Sequence, residues 1–156
     1  MPHVRLAQPR DAEAVARLMA AFRDHIGLGE PSDAEVRAGV ERLLGDPDTE
    51  FLLAAPGGNA SPAGVAQLRF RYGIWRAGGD CLLEDLFVDE AARGAGLGRA
   101  LVETTLARAR ARACRRVELD VNEANETAQR LYGSFGFSAT SNTYGARDLY
   151  MRLHLD

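Results

Sequence analysis

Asp85-Leu86-Phe87-Val88-Asp89-Glu90-Ala91-Ala92-Arg93-Gly94-Ala95-Gly96-Leu97-Gly98-Arg99 carries more structural information than any other stretch of this chain. The apolar run Cys81–Val88 has strand length, and it hands over to a glycine-rich turn that opens a helix. Leu101, Val102, Thr105, Leu106 and Ala109 then fall on one helical face. A strand–glycine turn–helix unit points free backbone N–H groups outward at the positive end of the helix dipole, which makes a site for phosphate. Glycines at 94, 96 and 98 let the backbone approach an anion closely, and Arg93 and Arg99 add guanidinium charge beside it. The dinucleotide fingerprint Gly-x-Gly-x-x-Gly fails from either Gly94 or Gly96, because positions 99 and 101 are Arg and Leu. The spacing Arg-x-x-Gly-x-Gly, through Arg93, Gly96 and Gly98, fits without a gap.

Upstream, Pro9 and Asp11 open a helical pattern through Val15, Leu18, Met19, Phe22 and Ile26, which Gly27 and Gly29 stop. Ser32 and Glu35 have capping-box spacing, with the apolar stripe Val36, Val40, Leu43 and Leu44 behind them. Phe51–Ala55 reads as a strand, followed by a Gly/Asn/Ser/Pro turn over 56–62 and further strands near 64–71 and 81–88. Downstream, the glycine-loop helix ends near Ala113, Val117–Val121 is the next strand, Asn125–Phe135 a helix and Leu149–Leu155 a closing strand. Antiparallel strands first and a β-α-β unit later predict an α/β (mixed α+β) fold. The expected sheet is central, mixed and mostly antiparallel, flanked by helices, in one domain over 1–156.

The 156 residues, 46% hydrophobic and 26% charged, suit one globular domain. Such a length buries roughly 68–70% of its unfolded surface without disulfides or a structural metal. The two cysteines, Cys81 and Cys114, lack metal-ligand spacing and suit a reducing cytosol, and His3, His25 and His154 show no ligand pattern, so no metal is expected. The polar start and the lack of any long apolar run predict neither a secretory signal nor a membrane span. A formal charge of −3 gives nucleic-acid binding no global support. All 19 basic residues are Arg, so lysine-nucleophile chemistry and a Walker-type phosphate loop are excluded. The arginine run 108–116 lacks interleaved aromatics and reads as a solvated helix face, with one member able to reach a cofactor phosphate.

A second motif, Asn125-Glu126-Thr127-Ala128-Gln129-Arg130-Leu131-Tyr132 ending in Gly136-Phe137, follows the first in order. With Leu83-Glu84-Asp85-Leu86-Phe87-Val88 and the loop Arg93–Gly98, the chain resembles the GNAT superfamily of N-acetyltransferases. Within it, the Leu-Glu-Asp-Leu-Phe-Val strand is most similar to the diamine/polyamine branch. The resemblance implies acetyl-CoA as donor, with the backbone of Leu86, Phe87 and Val88 along the pantetheine. It implies that Arg93, Gly94, Ala95, Gly96, Leu97, Gly98 and Arg99 wrap the pyrophosphate, and that Asn125 and Ala128 belong to the cofactor site. Tyr132 falls where many family members face the CoA sulfur, and Glu84 where the polyamine branch carries its proposed base. A homodimer joined through Leu149–Leu155 is the implied assembly.

The chemistry has its own logic. An alkylamine with a pKa near ~10.4 arrives protonated at neutral pH, so a carboxylate or an ordered water must take its proton. Neighbouring strand residues face opposite sides, so only one of Glu84 and Asp85 is expected to line a given cleft. Glu84, Asp85 or a water chain remain the options. A bulge near Phe87 or Val88 is expected to open N–H groups for the oxyanion. Asp24, His25 and Glu30, between the first two helices, and Tyr72, Trp75 and Tyr144 are candidates for the acceptor site. The expected activity is acetyl transfer to a small primary amine: a diamine, polyamine, amino acid or aminoglycoside-like compound. A peptide acceptor, a silent acyl-CoA-binding module and a purely structural module are the alternatives.

Overall fold

Asp11 sets the start of the first helix. Its carboxylate accepts from both terminal nitrogens of Arg5, at 2.7 and 2.8 Å, and from the Gln8 amide at 2.8 Å. In the computed structural model, which describes residues 1–156, β1 (His3–Leu6) turns here into α1 (Ala12–Ile26). Left-handed Gly27 ends α1. The expected capping box then opens α2 (Asp33–Leu44): Ser32 Oγ accepts from the Glu35 amide at 3.2 Å, and Glu35 Oε2 from the Ser32 amide at 3.0 Å. Both helices lie where the apolar spacing puts them.

The sheet has the order β1-β2-β3-β4-β5, with β2 at Thr49–Ala55, β3 at Gly64–Gly73, β4 at Gly78–Val88 and β5 at Cys114–Glu118. The first three pairings are antiparallel and β4–β5 is parallel, as a crossover through α3 (Leu97–Ala111) requires. Phe51, Leu53, Val65 and Phe87 turn to one face and pack under Val15, Leu18 and Val40 of α1 and α2. Leu52 and Ala54 alternate to the other face, toward α3. There, a Cβ at Gly64 would stand 3.2 Å from Leu101 Cδ1 and 3.4 Å from Ala54 Cβ, so only glycine lets helix and sheet approach this closely. This is the mixed, mostly antiparallel α/β sheet expected.

By internal packing the chain forms two compact units, Met1–Leu119 and Asp120–Asp156. The first holds the sheet and α1–α3. The second holds α4 (Glu126–Ser134) and a turn closed by an isolated bridge, Thr140 to Arg147.

Four expectations need correction. β5 begins at Cys114 and ends at Glu118 rather than spanning Val117–Val121, because α3 stops at Ala111 and Ala113, with φ 58°, restarts the chain in extended form. Leu149–Leu155 forms no strand. Its alternating apolar residues find no ladder partner, and Leu149, Met151, Leu153 and Leu155 are 75–89% exposed. The expected bulge lies earlier, at Glu84: Gln67 pairs with Asp85 and Leu68 with Leu83, leaving Glu84 as the extra residue. Lastly, the arginine run is only in part a solvated face: Arg110 and Arg115 are exposed, but others are held by the fold. Arg108 forks onto Glu50 at 2.9 and 2.6 Å, and Arg112 donates to the Pro47 carbonyl while its guanidinium lies 3.9 Å from the Phe70 ring centre. Their acidic partner comes from β2, far away in sequence.

Candidate functional site

β4 leaves the sheet on one side. It pairs with β5 only from Gly79 to Leu82, so from Leu83 onward its edge facing β5 has no strand beside it. Leu86, Phe87 and Val88 remain paired with Ala66, Val65 and Gly64 of β3. Alternate backbone groups along this stretch therefore face the open edge, where an extended chain bearing amides can add as a strand would.

The open edge runs into the glycine loop. Gly94 and Gly96 take φ of 83° and 82°, a region that L side chains rarely adopt, and Gly96 caps α3 without a side-chain acceptor. The first-turn N–H groups of α3 thus meet no side-chain cap, and the helix dipole adds positive potential there. Leu97 is buried in the core and anchors the helix start, while Arg93, Gly94, Ala95, Gly96 and Arg99 are exposed. Arg93 folds back on the strand: its Nε donates to the Val88 carbonyl at 3.1 Å, and its guanidinium lies 5.9 Å from the Phe87 ring. These residues suit a ligand with a diphosphate at one end and an amide-bearing arm at the other.

The bulge changes the geometry of the two acids. A bulge breaks strict alternation, so neighbouring side chains can reach the same side. Gln67 Nε2 donates to Glu84 Oε2 at 2.8 Å, and Arg69 lies 3.4 Å from the same oxygen. The Gln67 side chain also lines a cavity with Asp85. Glu84 is thus drawn to Gln67, the register partner of Asp85, because the bulge relaxes the strict alternation expected of these two acids.

That cavity, of about 300 Å³, lies between α1, α2 and the sheet. Its walls include Met19, Phe22, Ile26, Val36 and Val40. The connection between the first two helices borders it through Leu28 and Pro31, and not through Asp24, His25 or Glu30. Asp24 is instead held by Arg23 at 3.0 Å, and His25 packs against Phe87, ring centres 5.9 Å apart. Tyr72, Trp75 and Tyr144 are 73–94% exposed and line none of it. Apolar spacing on α1 and α2 was the available signal for the cavity, and it read simply as core.

In the second unit, Asn125 caps α4, its Oδ1 accepting from the Ala128 amide at 3.1 Å. That bond uses the Ala128 N–H internally and leaves the Asn125 amide nitrogen as its donor. Tyr132 sits on α4 with its ring edge-on to Phe137, centres 6.0 Å apart. Desolvation of this half-buried phenol, with the nearby Asp120 charge, pushes its pKa above the ordinary tyrosine range. The hydroxyl therefore keeps its proton at neutral pH.

Residues 14–137 match the family model described as Acetyltransferase (GNAT) family. The chain belongs to the GNAT family. A mycothiol acetyltransferase of Thermobispora bispora is 35% identical over 133 residues, 83% of this chain but 43% of that protein, so the chain spans under half of this relative's length. An aminoglycoside N(6′)-acetyltransferase type 1 of Stenotrophomonas maltophilia is 27% identical over 99% of this chain and 95% of its own. A crystal structure from Arthrobacter sp. FB24, described as a candidate acetyltransferase, superimposes with a TM-score of 0.86 at 31% identity, covering 98% of this chain and 96% of the other.

Beyond the site, this GNAT chain has other features that bear on function. Its two cysteines are free. Cys81 is fully buried, its thiol pushed up to about 12 by desolvation, which leaves it inert as a nucleophile. No group of three or more His, Cys, Asp or Glu side chains is placed to hold a metal. No helix is long and apolar enough to cross a membrane.

Proposed function

We propose that this GNAT chain is an acetyl-CoA-dependent N-acetyltransferase acting on a small-molecule primary amine, both units serving one transferase domain over 1–156. The observation that carries this reading is the β4 edge, open from Leu83 and leading into the uncapped start of α3. In this reading, the backbone of Leu86–Val88 takes the pantetheine amides, and the Arg93–Arg99 loop takes the diphosphate through its N–H groups and guanidinium charge. Asn125 offers its amide nitrogen to the cofactor. The site residues fit a CoA thioester, which supplies an activated acetyl carbonyl when bound.

The transfer balances in one ternary complex. A carboxylate, Glu84 directly or through water, removes the ammonium proton. The amine nitrogen forms a bond to the acetyl carbon, the C–S bond breaks, and the Tyr132 hydroxyl gives the leaving thiolate its proton, while the second proton lost by the nitrogen as it becomes an amide restores that hydroxyl through water. N–H groups freed by the bulge at Glu84 stabilise the oxyanion. The raised pKa of Tyr132 supports the acid role, because a phenol that stays protonated can donate. The reading extends to a cytoplasmic homodimer, supported by free cysteines and by the exposed apolar residues of 149–155.

The test is thermal unfolding with acetyl-CoA, CoA and ATP, followed by thiol release across an amine panel. Ligand at ~100 times its Kd stabilises by about 2.7 kcal/mol. A CoA-specific shift with turnover on amines is the expected result. A shift without turnover on any amine or peptide would leave a binding module, and no shift would remove the cofactor assignment.

A further inference from the structure

We infer that the cavity between α1 and α2 is the acceptor pocket, and that it selects a primary amine carrying one compact apolar group over polyamines and aminoglycosides. This rests on the acetyl-transfer reading and specifies its substrate. The cavity is two-sided in character. At the sheet end stand Gln67 and Asp85, with the Glu84 carboxylate 2.8 Å from Gln67 Nε2. The rest of the lining is mostly apolar: Met19, Phe22, Ile26, Val36, Val40 and Phe51.

An ammonium group belongs at the acidic end, and that end adjoins the bulge, where the acetyl carbon must lie for attack. The remainder of the substrate then projects among apolar side chains. A second ammonium placed there would lie against apolar walls and give up hydration for little in return, which is unfavourable. Of the two charged groups in the lining, Arg23 repels a second ammonium, and exposed Glu35 offers only a solvent-screened charge. Glu35 is held by the Ser32 amide at 3.0 Å, and Arg23 is held by Asp24, Asp33 and the Pro31 carbonyl. The volume of about 300 Å³ stands at the small end of ligand sites.

Gly39 provides the test. It lines the cavity from α2, and a Cβ there meets nothing within 4 Å, so a larger side chain projects into empty space without a clash in the fold. Thiol release from acetyl-CoA is measured with 2-phenylethylamine, hexylamine, spermidine and kanamycin, for the wild-type chain and Gly39→Leu. The expected result is kcat/KM for the two monoamines at least about tenfold above the polycations, and a rise in monoamine KM of about tenfold or more in Gly39→Leu. The CoA thermal shift should be the same in both proteins. Spermidine or kanamycin matching the monoamines, or an unchanged monoamine KM in Gly39→Leu, overturns the inference while leaving acetyl transfer intact. If no amine is acetylated but CoA still binds, calorimetry with 2-phenylethylamine on the CoA-loaded protein decides. Binding lost in Gly39→Leu supports the pocket, and no binding overturns it. Failure of CoA itself to bind instead sinks the transferase reading on which the pocket rests.

Discussion

Tyr132 and the Glu84/Asp85 pair are where single atoms carry the proposed chemistry. Tyr132→Phe removes one hydroxyl and keeps the edge-on contact with Phe137. If Tyr132 protonates the thiolate, kcat falls ~10²–10⁴-fold, or roughly 3–5 kcal/mol of barrier, with the CoA thermal shift unchanged. The pKa of Tyr132 is raised, so its loss of a proton belongs above pH ~10, and the wild-type alkaline limb of kcat should lie there and vanish in the variant. A loss smaller than tenfold would remove the acid role. The acids separate by kinetics as well. Glu84→Gln should lower kcat with little change in KM, as for a base, whereas Asp85→Asn should raise the KM for the amine, as for a group that receives the ammonium. Equal behaviour of the two variants would point to a shared or water-mediated proton transfer. Simple alternation assigned these two side chains to opposite faces, and the pairing register of β3 and β4 places at Glu84 the bulge that relaxes that alternation. A bulge depends on both strands at once, so one strand's residues do not reveal it.

At the scale of elements, most of the framework was readable in local chemistry. Pro9, the Ser32/Glu35 box, Gly27 and the Arg93–Gly98 loop each act within a few residues, and the helices begin and end close to where those residues put them. What was missed depends on distant partners. The Glu50–Arg108 pair joins β2 to α3, and Asp80, almost fully buried, takes Arg116 from β5 at 3.1 and 2.8 Å. The start of α1 offers a stability test of a local device. Hydrogen bonds from Arg5 hold Asp11 down to about 2 from an ordinary 3.8. A carboxylate with a lowered folded pKa stabilises above its unfolded pKa and loses that contribution as pH falls toward 2. Because Arg5 is 39% exposed, solvent screening leaves about 1 kcal/mol of this. Urea unfolding at pH 6 and pH 1.5 should therefore show Asp11→Asn destabilised by about that amount at the higher pH and nearly equal to wild type at the lower. An equal deficit at both would mean that Asp11 acts through packing rather than charge.

For the whole molecule, the unabsorbed feature is exposed apolar surface. Leu149, Met151, Leu153 and Leu155 recur at every second residue in the second unit, all at least 75% exposed, with Tyr150, Arg152 and His154 between them. A stretch with strand periodicity and no ladder partner leaves both its apolar face and its backbone groups unsatisfied by this chain. A second copy supplies both kinds of complement at once under two-fold symmetry, and this is the physical content of the proposed homodimer. Light scattering should then give twice the 16.9 kDa chain mass, and Tm should rise with protein concentration, because association adds to the stability of the folded state. Replacing Leu153 and Leu155 together by Asp places two carboxylates on the apolar face. It should yield the single-chain mass and a Tm independent of concentration, while the CoA shift, which depends on the loop at Arg93–Arg99, persists. A wild-type chain that scatters as a monomer at high concentration would remove the homodimer, and the Asp pair would then leave mass and the concentration dependence of Tm unchanged.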